Sequence, residues 1–463
     1  MIHFNNTYSK LPDKFFEKVS PASFSEPELI LFNEKLADSL GIHYQNKSDK
    51  ELASIFSGQQ ILEGSEPLAM AYAGFQFGHP VAQLGDGRAH YLGEVNGFDL
   101  QLKGSGQTRF SRRGDGRSAL GPVLREYIVS EAMHVLGVPT TRALCAVSTG
   151  EEVYRQYGPE PGGVFTRVAD SHIRVGTFQY FMFQQDLDGI KTLLDYTIKR
   201  HYPELKESKS KAIDILKALT HKQSDLIAKW SSFGFIHGVM NTDNFSLAGI
   251  TIDYGPCAFM DEFRFHKVFS SIDERGRYSF FNQTTIAKWN ILRLADCLLP
   301  LIDENQEMAI KKVEEEVINL FDLFEYKRVE SLSKKLGLNH DENLVHMFLT
   351  YLEKESLDFT LAFRNLSKED DSFFPKTNEY NEFINLWKSK APDTTELLNI
   401  NPLYIPRNHQ IQRAIDMAYE GDYSHFKKMI QVLENPFSDQ DEYREFSLAP
   451  KEGQKVRQTF CGT

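Results

Sequence analysis

The spacing of hydrophobic positions changes character along the chain. Between residues 68 and 168, apolar residues alternate with polar ones in short runs broken by turns. Phe98, Leu100 and Leu102 alternate with Asp99, Gln101 and Lys103, a period of two that predicts a strand with Lys103 on its polar face. Residues 68–73, 90–92 and 141–147 read as further strands. One helix interrupts them, from 122 to about 136. It carries Val123, Leu124, Tyr127, Ile128 and Val135 on one side, and Gly137 and Pro139 end it. Beyond residue 176 the period becomes helical at 191–200, 209–233 and 285–299, and again within 305–365 and 408–434. The interval 234–263 departs from it and includes a short strand at 249–253. Near the N-terminus, residues 25–40 predict a helix with Leu29, Leu31, Phe32 and Leu36 on its apolar face.

Glycine sharpens this division. Of 30 glycines, 19 fall between Gly58 and Gly176 and only four follow Gly276. That density marks tight turns and close backbone approach to a ligand, so the first lobe is where a binding site is expected. A β-rich lobe followed by a helical lobe is the coarse layout of a protein kinase-like, two-lobe α+β fold. The boundaries read as an N-terminal extension over 1–60, a β-rich nucleotide-binding lobe over 61–175, a helical lobe over 176–400 and a C-terminal helical tail over 401–463.

The 463 residues suffice for more than one domain with a substantial core. With 52 basic against 64 acidic side chains, the net charge of −12 excludes a general binder of nucleic acid or anionic membrane. The N-terminus has no apolar leader and carries Asp13 and Glu17 early. The most apolar stretch, 292–302, is broken by Arg293 and Asp296. A cytoplasmic protein without nucleic-acid or membrane partners is expected. The four cysteines, Cys145, Cys257, Cys297 and Cys461, form neither a disulfide framework nor a C-x-x-C pair.

The chemistry-bearing residues are scattered. No G-x-x-x-x-G-K-[ST] loop is present. Gly85-Asp86-Gly87-Arg88 forms a turn between two strands, where backbone N–H groups can lie over phosphates. Lys103 ends a strand and Glu126 lies on the following helix, as in the lysine–glutamate pair of kinases. Arg109, Arg112, Arg113 and Arg117 join Lys103 within fifteen residues, together with Asp115 and Gly116, and Arg167 and Arg174 follow. Planar guanidinium groups suit a polyphosphate.

The strongest signal is His237-Gly-Val-Met-Asn-Thr-Asp-Asn244 followed by Asp253-Tyr254-Gly255. Kinase catalytic loops read H-R-D-x-x-x-x-N and then D-F-G. Asn244 and Asp253 make a hard oxygen pair for Mg²⁺ or Mn²⁺, completed by nucleotide phosphates and water. The usual base aspartate is absent, because Val239 occupies its position. Either Asp243 took over, or the chemistry differs, or the protein binds nucleotide without catalysis.

These stretches resemble one family, selenoprotein O, the kinase-like protein adenylyltransferases. The similarity runs through residues 84–88, 100–108, 110–117, 124–127, 165–168, 237–244 and 251–256, with a further segment at 401–408. The resemblance implies ATP bound in flipped orientation, so that AMP passes to Ser, Thr or Tyr hydroxyls of proteins; the sequence leaves open whether the enzyme itself is one of them. It implies that Lys103 pairs with Glu126 and contacts phosphate, and that Gly85, Gly87, Arg88, Asp115, Gly116, Arg167 and Arg174 hold the nucleotide. Asn244 and Asp253 would ligate Mg²⁺ or Mn²⁺, and Asp243 would be the base. A phosphotransferase and a non-catalytic ATP-binding scaffold are the alternatives. Redox control by a cysteine near the C-terminus is a family theme, and Cys461 with Cys257 is the pair it suggests here.

Overall fold

In the computed structural model, which describes residues 2–156 and 158–460, the strand expected at Phe98–Lys103 lies in the middle of the main sheet. In chain order the strands are β1 (Phe16–Lys18), β2 (Glu28–Phe32), β3 (Leu68–Met70), β4 (Gly74–Gln76), β5 (His79–Val81), β6 (Ala89–Val95), β7 (Phe98–Lys103), β8 (Ser118–Ala119), β9 (Arg142–Arg155), β10 (Gly158–Ala169), β11 (Phe235–Ile236) and β12 (Ala258–Phe259). The eight-stranded sheet runs β1-β3-β6-β7-β10-β9-β2, with β8 on β10, and its pairs are antiparallel. β4 and β5 form a separate hairpin, and β11 and β12 pair as a two-stranded antiparallel sheet.

The period of two in β7 explains the layering. Leu100 and Leu102 join a core with Leu36, Leu52 and Phe56 from α1 (Glu34–Ser39) and α2 (Asp49–Phe56). Phe165 and Ala146, from β10 and β9, pack with Val123, Leu124, Tyr127 and Ile128 of α3 (Leu120–Val135). In register, Arg167 on β10 faces Gln101, and Phe165 faces Lys103. A central strand thus carries Gln101 and Lys103 on one side and buries leucines on the other.

The helical part begins with α4 (Val175–Phe183), α5 (Leu187–His201), α6 (Lys211–Ser232) and α7 (Gln283–Ile302), and continues to Asn408–Tyr419 and Ser424–Leu433. The last two helices return to pack on α3. The 401–408 stretch anchors this return. Arg407 is fully buried, pairing with Asp358 at 2.8 Å and Asp261 at 2.6 Å, and Asn408 Nδ2 donates to the carbonyl of Phe259 at 2.8 Å. Burial pushes the Asp261 carboxyl up to about 6 despite Arg407. Among the described residues no helix is long and apolar enough to cross a membrane.

Two expectations differ from the structure. Residues 25–40 do not form one helix. Leu29 to Phe32 belong to β2, which pairs with β9 at the sheet edge, and Asn33 then caps α1 by accepting from the Leu36 amide at 3.0 Å. The residues are apolar enough for either state, and pairing with β9 decides. The strand at 249–253 reduces to a single parallel bridge between Thr251 and Thr140. Asp253 has φ +72°, a left-handed conformation that ends any extended run.

Candidate active site

The floor of the site is a buried charge network between β7, β10, α3 and the 237–257 segment. Lys103 Nζ donates to Glu126 Oε2 at 2.6 Å and pairs with Asp253. Arg167 Nη1 lies 3.2 Å from both Glu126 Oε1 and Asp253 Oδ1, and its Nε donates to Gln101 Oε1 at 2.8 Å. Burial alone would raise the Asp253 carboxyl, but Lys103 and Arg167 hold it well below the usual carboxylate range. Two cations thus share two carboxylates, each oriented before any ligand arrives.

A second buried layer surrounds Asp86. Its carboxylate accepts from the Met70 amide at 3.1 Å and from Gln101 Nε2 at 3.0 Å. Arg174 approaches Asp86 at 3.5 Å and stacks over Tyr72, 4.3 Å from the ring centre. The glycine-rich loop closes the wall. Gly116 has φ +68°, and a Cβ there would fall 2.2 Å from the carbonyl carbon of Gly106, so no other residue fits. Asp115 is held at the mouth by Arg155 at 2.8 Å.

Together these residues enclose a cavity of about 580 Å³, within the size range of small-ligand sites. Gly85, Gly87, Arg88, Lys103, Asp115, Gly116, Arg167, Arg174 and Asp253 all line it. Glu126 lines an adjoining crevice with Lys103 and Asp253. Sequence reasoning passed over Asp86, Gln101, Tyr72 and Arg155. Gln101 was accessible to it, two residues before Lys103 on the same strand face. Arg155 carries no local signal, since its partner is 40 positions away.

Asp243 and Asn244 are not among the cavity-lining residues. They follow Asn241 and Thr242, whose side chains bind the β4–β5 hairpin: the Phe75 amide donates to Thr242 Oγ1 at 2.7 Å and the Phe77 amide to Asn241 Oδ1 at 2.9 Å. Thr242 Oγ1 donates in turn to Gln179 Oε1 of α4 at 2.6 Å. Asp243 Oδ1 is buried without a hydrogen-bond partner. Burial pushes the Asp243 carboxyl up to about 6, against the attraction of Arg174. His237 is stacked on Trp230 and bonded to the Ile252 carbonyl at 3.0 Å, which fixes the loop entrance.

For a metal, the test is one of donor chemistry. Among the described residues no group of three His, Cys, Asp or Glu side chains could hold one. Asn244 Nδ2 donates to the Val239 carbonyl at 3.0 Å, so its amide nitrogen is engaged and its oxygen is the donor available to a cation. One amide and one carboxylate oxygen fit an ion whose remaining ligands are phosphates and water. Cys257 is wholly buried, and burial pushes its thiol up to about 12. Cys461 lies outside the described residues.

Glycine turns and buried cations converge on one cavity, a donor set whose chemistry suits a polyphosphate. The chain matches the family model described as protein adenylyltransferase SelO over residues 1–434. It is 47% identical to the protein nucleotidyltransferase YdiU of Rhizobium etli, over 99% of this chain and 97% of that one. The protein of the same description from Nitrosococcus oceani is 45% identical over 100% and 97%, and that from a Bradyrhizobium species 48% over 99% and 99%. The class is therefore nucleotidyltransferase. The chain belongs to the SelO family.

Proposed function

We propose that this protein transfers AMP from ATP to Ser, Thr or Tyr hydroxyls of proteins, itself included, and releases pyrophosphate. The fold is read as kinase-like, with the glycine-rich β lobe over 61–175 holding the nucleotide and the helical lobe over 176–400 carrying the 237–255 loops. The observation that carries this reading is the surplus of buried cations. Lys103, Arg167 and Arg174 all line one cavity, where kinase chemistry uses a single strand lysine.

Attack at the α-phosphorus makes pyrophosphate the leaving group, so negative charge grows on the β/γ side. Arg167 and Arg174, already oriented by Gln101, Glu126 and Asp86, stabilise that charge without reorganising. Each such charge-assisted bond is worth roughly 1.5–3 kcal/mol. Lys103 holds phosphate while Glu126 keeps it in place. Gly85, Gly87, Arg88, Asp115 and Gly116 cradle the remainder of the nucleotide. Asn244 and Asp253 would hold Mg²⁺ or Mn²⁺, which when bound neutralises phosphate charge. Asp243 accepts the proton of the acceptor hydroxyl, the role left open by Val239.

The tail contributes a control point. Thr459 Oγ1 donates to the Pro256 carbonyl at 2.6 Å, and the Thr459 amide to the Phe269 carbonyl at 2.8 Å. That anchorage, one residue from Cys257, supports the reading that Cys461 reaches Cys257 and restrains the enzyme until reduced. Recovery of Cys257 and Cys461 as separate free thiols after oxidation, with unchanged activity, would sink it. A cytoplasmic location is part of the same reading. Product analysis tests the main reading: with an acceptor protein present, pyrophosphate accumulates and ADP does not. ADP in stoichiometric yield makes it a phosphotransferase.

A further inference from the structure

Beside the catalytic loop an arginine stands without an anion. Arg277, between β12 and α7, has its guanidinium 4.7 Å from the ring centre of Trp289 and 5.7 Å from that of Tyr278. Its Nε and Nη2 are buried with no hydrogen-bond partner, and among the described residues it forms no ion pair. Its neighbours differ. Arg293, over the same indole at 5.4 Å, is paired with Asp296 at 3.1 Å. Arg167, Arg174 and Arg407 each have a carboxylate.

Shielding two guanidinium nitrogens without partners is costly, and aromatic faces return only part of it. The residue as a whole is only half-buried, so a carboxylate that meets its open side and draws the guanidinium outward removes the cost. The position gives that vacancy a use. Tyr278, the next residue, donates to Asn241 Oδ1 at 2.5 Å, the same oxygen that receives the Phe77 amide. The Phe77 ring lies against Tyr278 at 5.1 Å, and Gly78 faces the Arg277 guanidinium, 3.6 Å from Cζ to the nearest position a Cβ would take. Arg277 therefore borders the β4–β5 hairpin and the loop that carries Asp243, and it is not part of the nucleotide cavity.

We propose that Arg277, on the aromatic floor of Trp289 and Tyr278, receives an Asp or Glu side chain of the acceptor protein near the hydroxyl to be modified. This rests on the reading of AMP transfer at Asp243. The net charge of −12 repels acidic partners at long range. At physiological salt that field is screened within about 8 Å, so recognition acts at contact. The preference belongs to affinity at close range.

The test is fluorescence anisotropy with the full chain saturated by a non-hydrolysable ATP analogue. The probes are a labelled pentapeptide with a central tyrosine flanked by glutamates and its glutamine counterpart. The wild type binds the acidic peptide at least about tenfold more tightly, a difference of about 1.4 kcal/mol. Arg277→Gln removes the preference and leaves affinity for the ATP analogue unchanged, while Arg277→Lys keeps part of it. Arg277→Met, which retains the packing stem, replaces the glutamine variant if that does not fold. Equal affinities on the wild type, or a preference that survives loss of the arginine, overturn the inference. Transfer from labelled ATP, followed in parallel, reports on AMP transfer separately: its absence counts against that reading whatever the peptides do.

Discussion

A Cβ added to Gly74 would lie 2.7 Å from Oδ1 of Asp243 and 3.1 Å from Cδ1 of Leu84. The first strand of the β4–β5 hairpin therefore rests directly on the carboxylate assigned as base, and only a glycine permits the approach. Gly74→Ala must displace one or the other. The hairpin is held by backbone bonds to Thr242 and Asn241, so the carboxylate is expected to shift. Turnover should fall at least about tenfold, or 1.4 kcal/mol of barrier, with ATP affinity unchanged. Single-turnover transfer and calorimetric ATP binding on the same variant check both halves, and an unaltered rate contradicts the assignment of Asp243.

Lys103 sits between Glu126 and Asp253 at the base of the cavity. Replacing it with Met removes the proposed phosphate contact and leaves two carboxylates facing Arg167 alone. The expected loss in kcat/KM is of order 10²–10³, about 3–4 kcal/mol. Asp253→Ala should abolish transfer. Initial rates with an acceptor protein are the readout, and full activity in either variant refutes its assigned role.

The sequence made some features readable and hid others for physical reasons. β7 was legible because its period of two is local, and α3 because its apolar face and its terminating Gly137 and Pro139 are local too. Nine of the residues that line the cavity were legible through motifs, and the family resemblance supplied the roles expected of them. β2 was missed because its state depends on pairing with β9, more than a hundred residues away. The hairpin over Asp243 was missed for a related reason: Phe75 and Phe77 bind Thr242 and Asn241 across more than 160 positions through backbone amides, which have no residue signature. Arg277 carries no local signal in the sequence, because Trp289, whose ring it lies over, is twelve positions away.

Lys335 gives a pH-dependent prediction. Its ammonium lies among Phe233, Phe359 and Phe363, 4.6 Å from the nearest ring centre, and burial pushes it down from 10.5 to about 7. The folded value lies below the unfolded one, so between those values the unfolded chain holds more protons. Stability from this residue therefore rises with pH across that window, and the charge cost is full below about 7. Lys335→Met should raise the melting temperature, most at about pH 6.5 and least near pH 10. A gain independent of pH contradicts the buried-charge account.

Arg407 tests the closure of the C-terminal segment on the core. Arg407→Ala leaves Asp261 and Asp358 buried without their cation and should cost about 3–5 kcal/mol. Urea unfolding followed by tryptophan fluorescence measures it. A loss below about 1 kcal/mol would show that the two carboxylates find other partners.

The central claim is that the α-phosphorus of ATP, and not the γ, is attacked. Parallel incubations of the full chain and an acceptor protein with α-labelled and γ-labelled ATP, with Asp253→Ala as control, test it most directly. The account predicts protein labelled from the α position only, in the wild type and not in the variant. Label arriving from the γ position instead contradicts it.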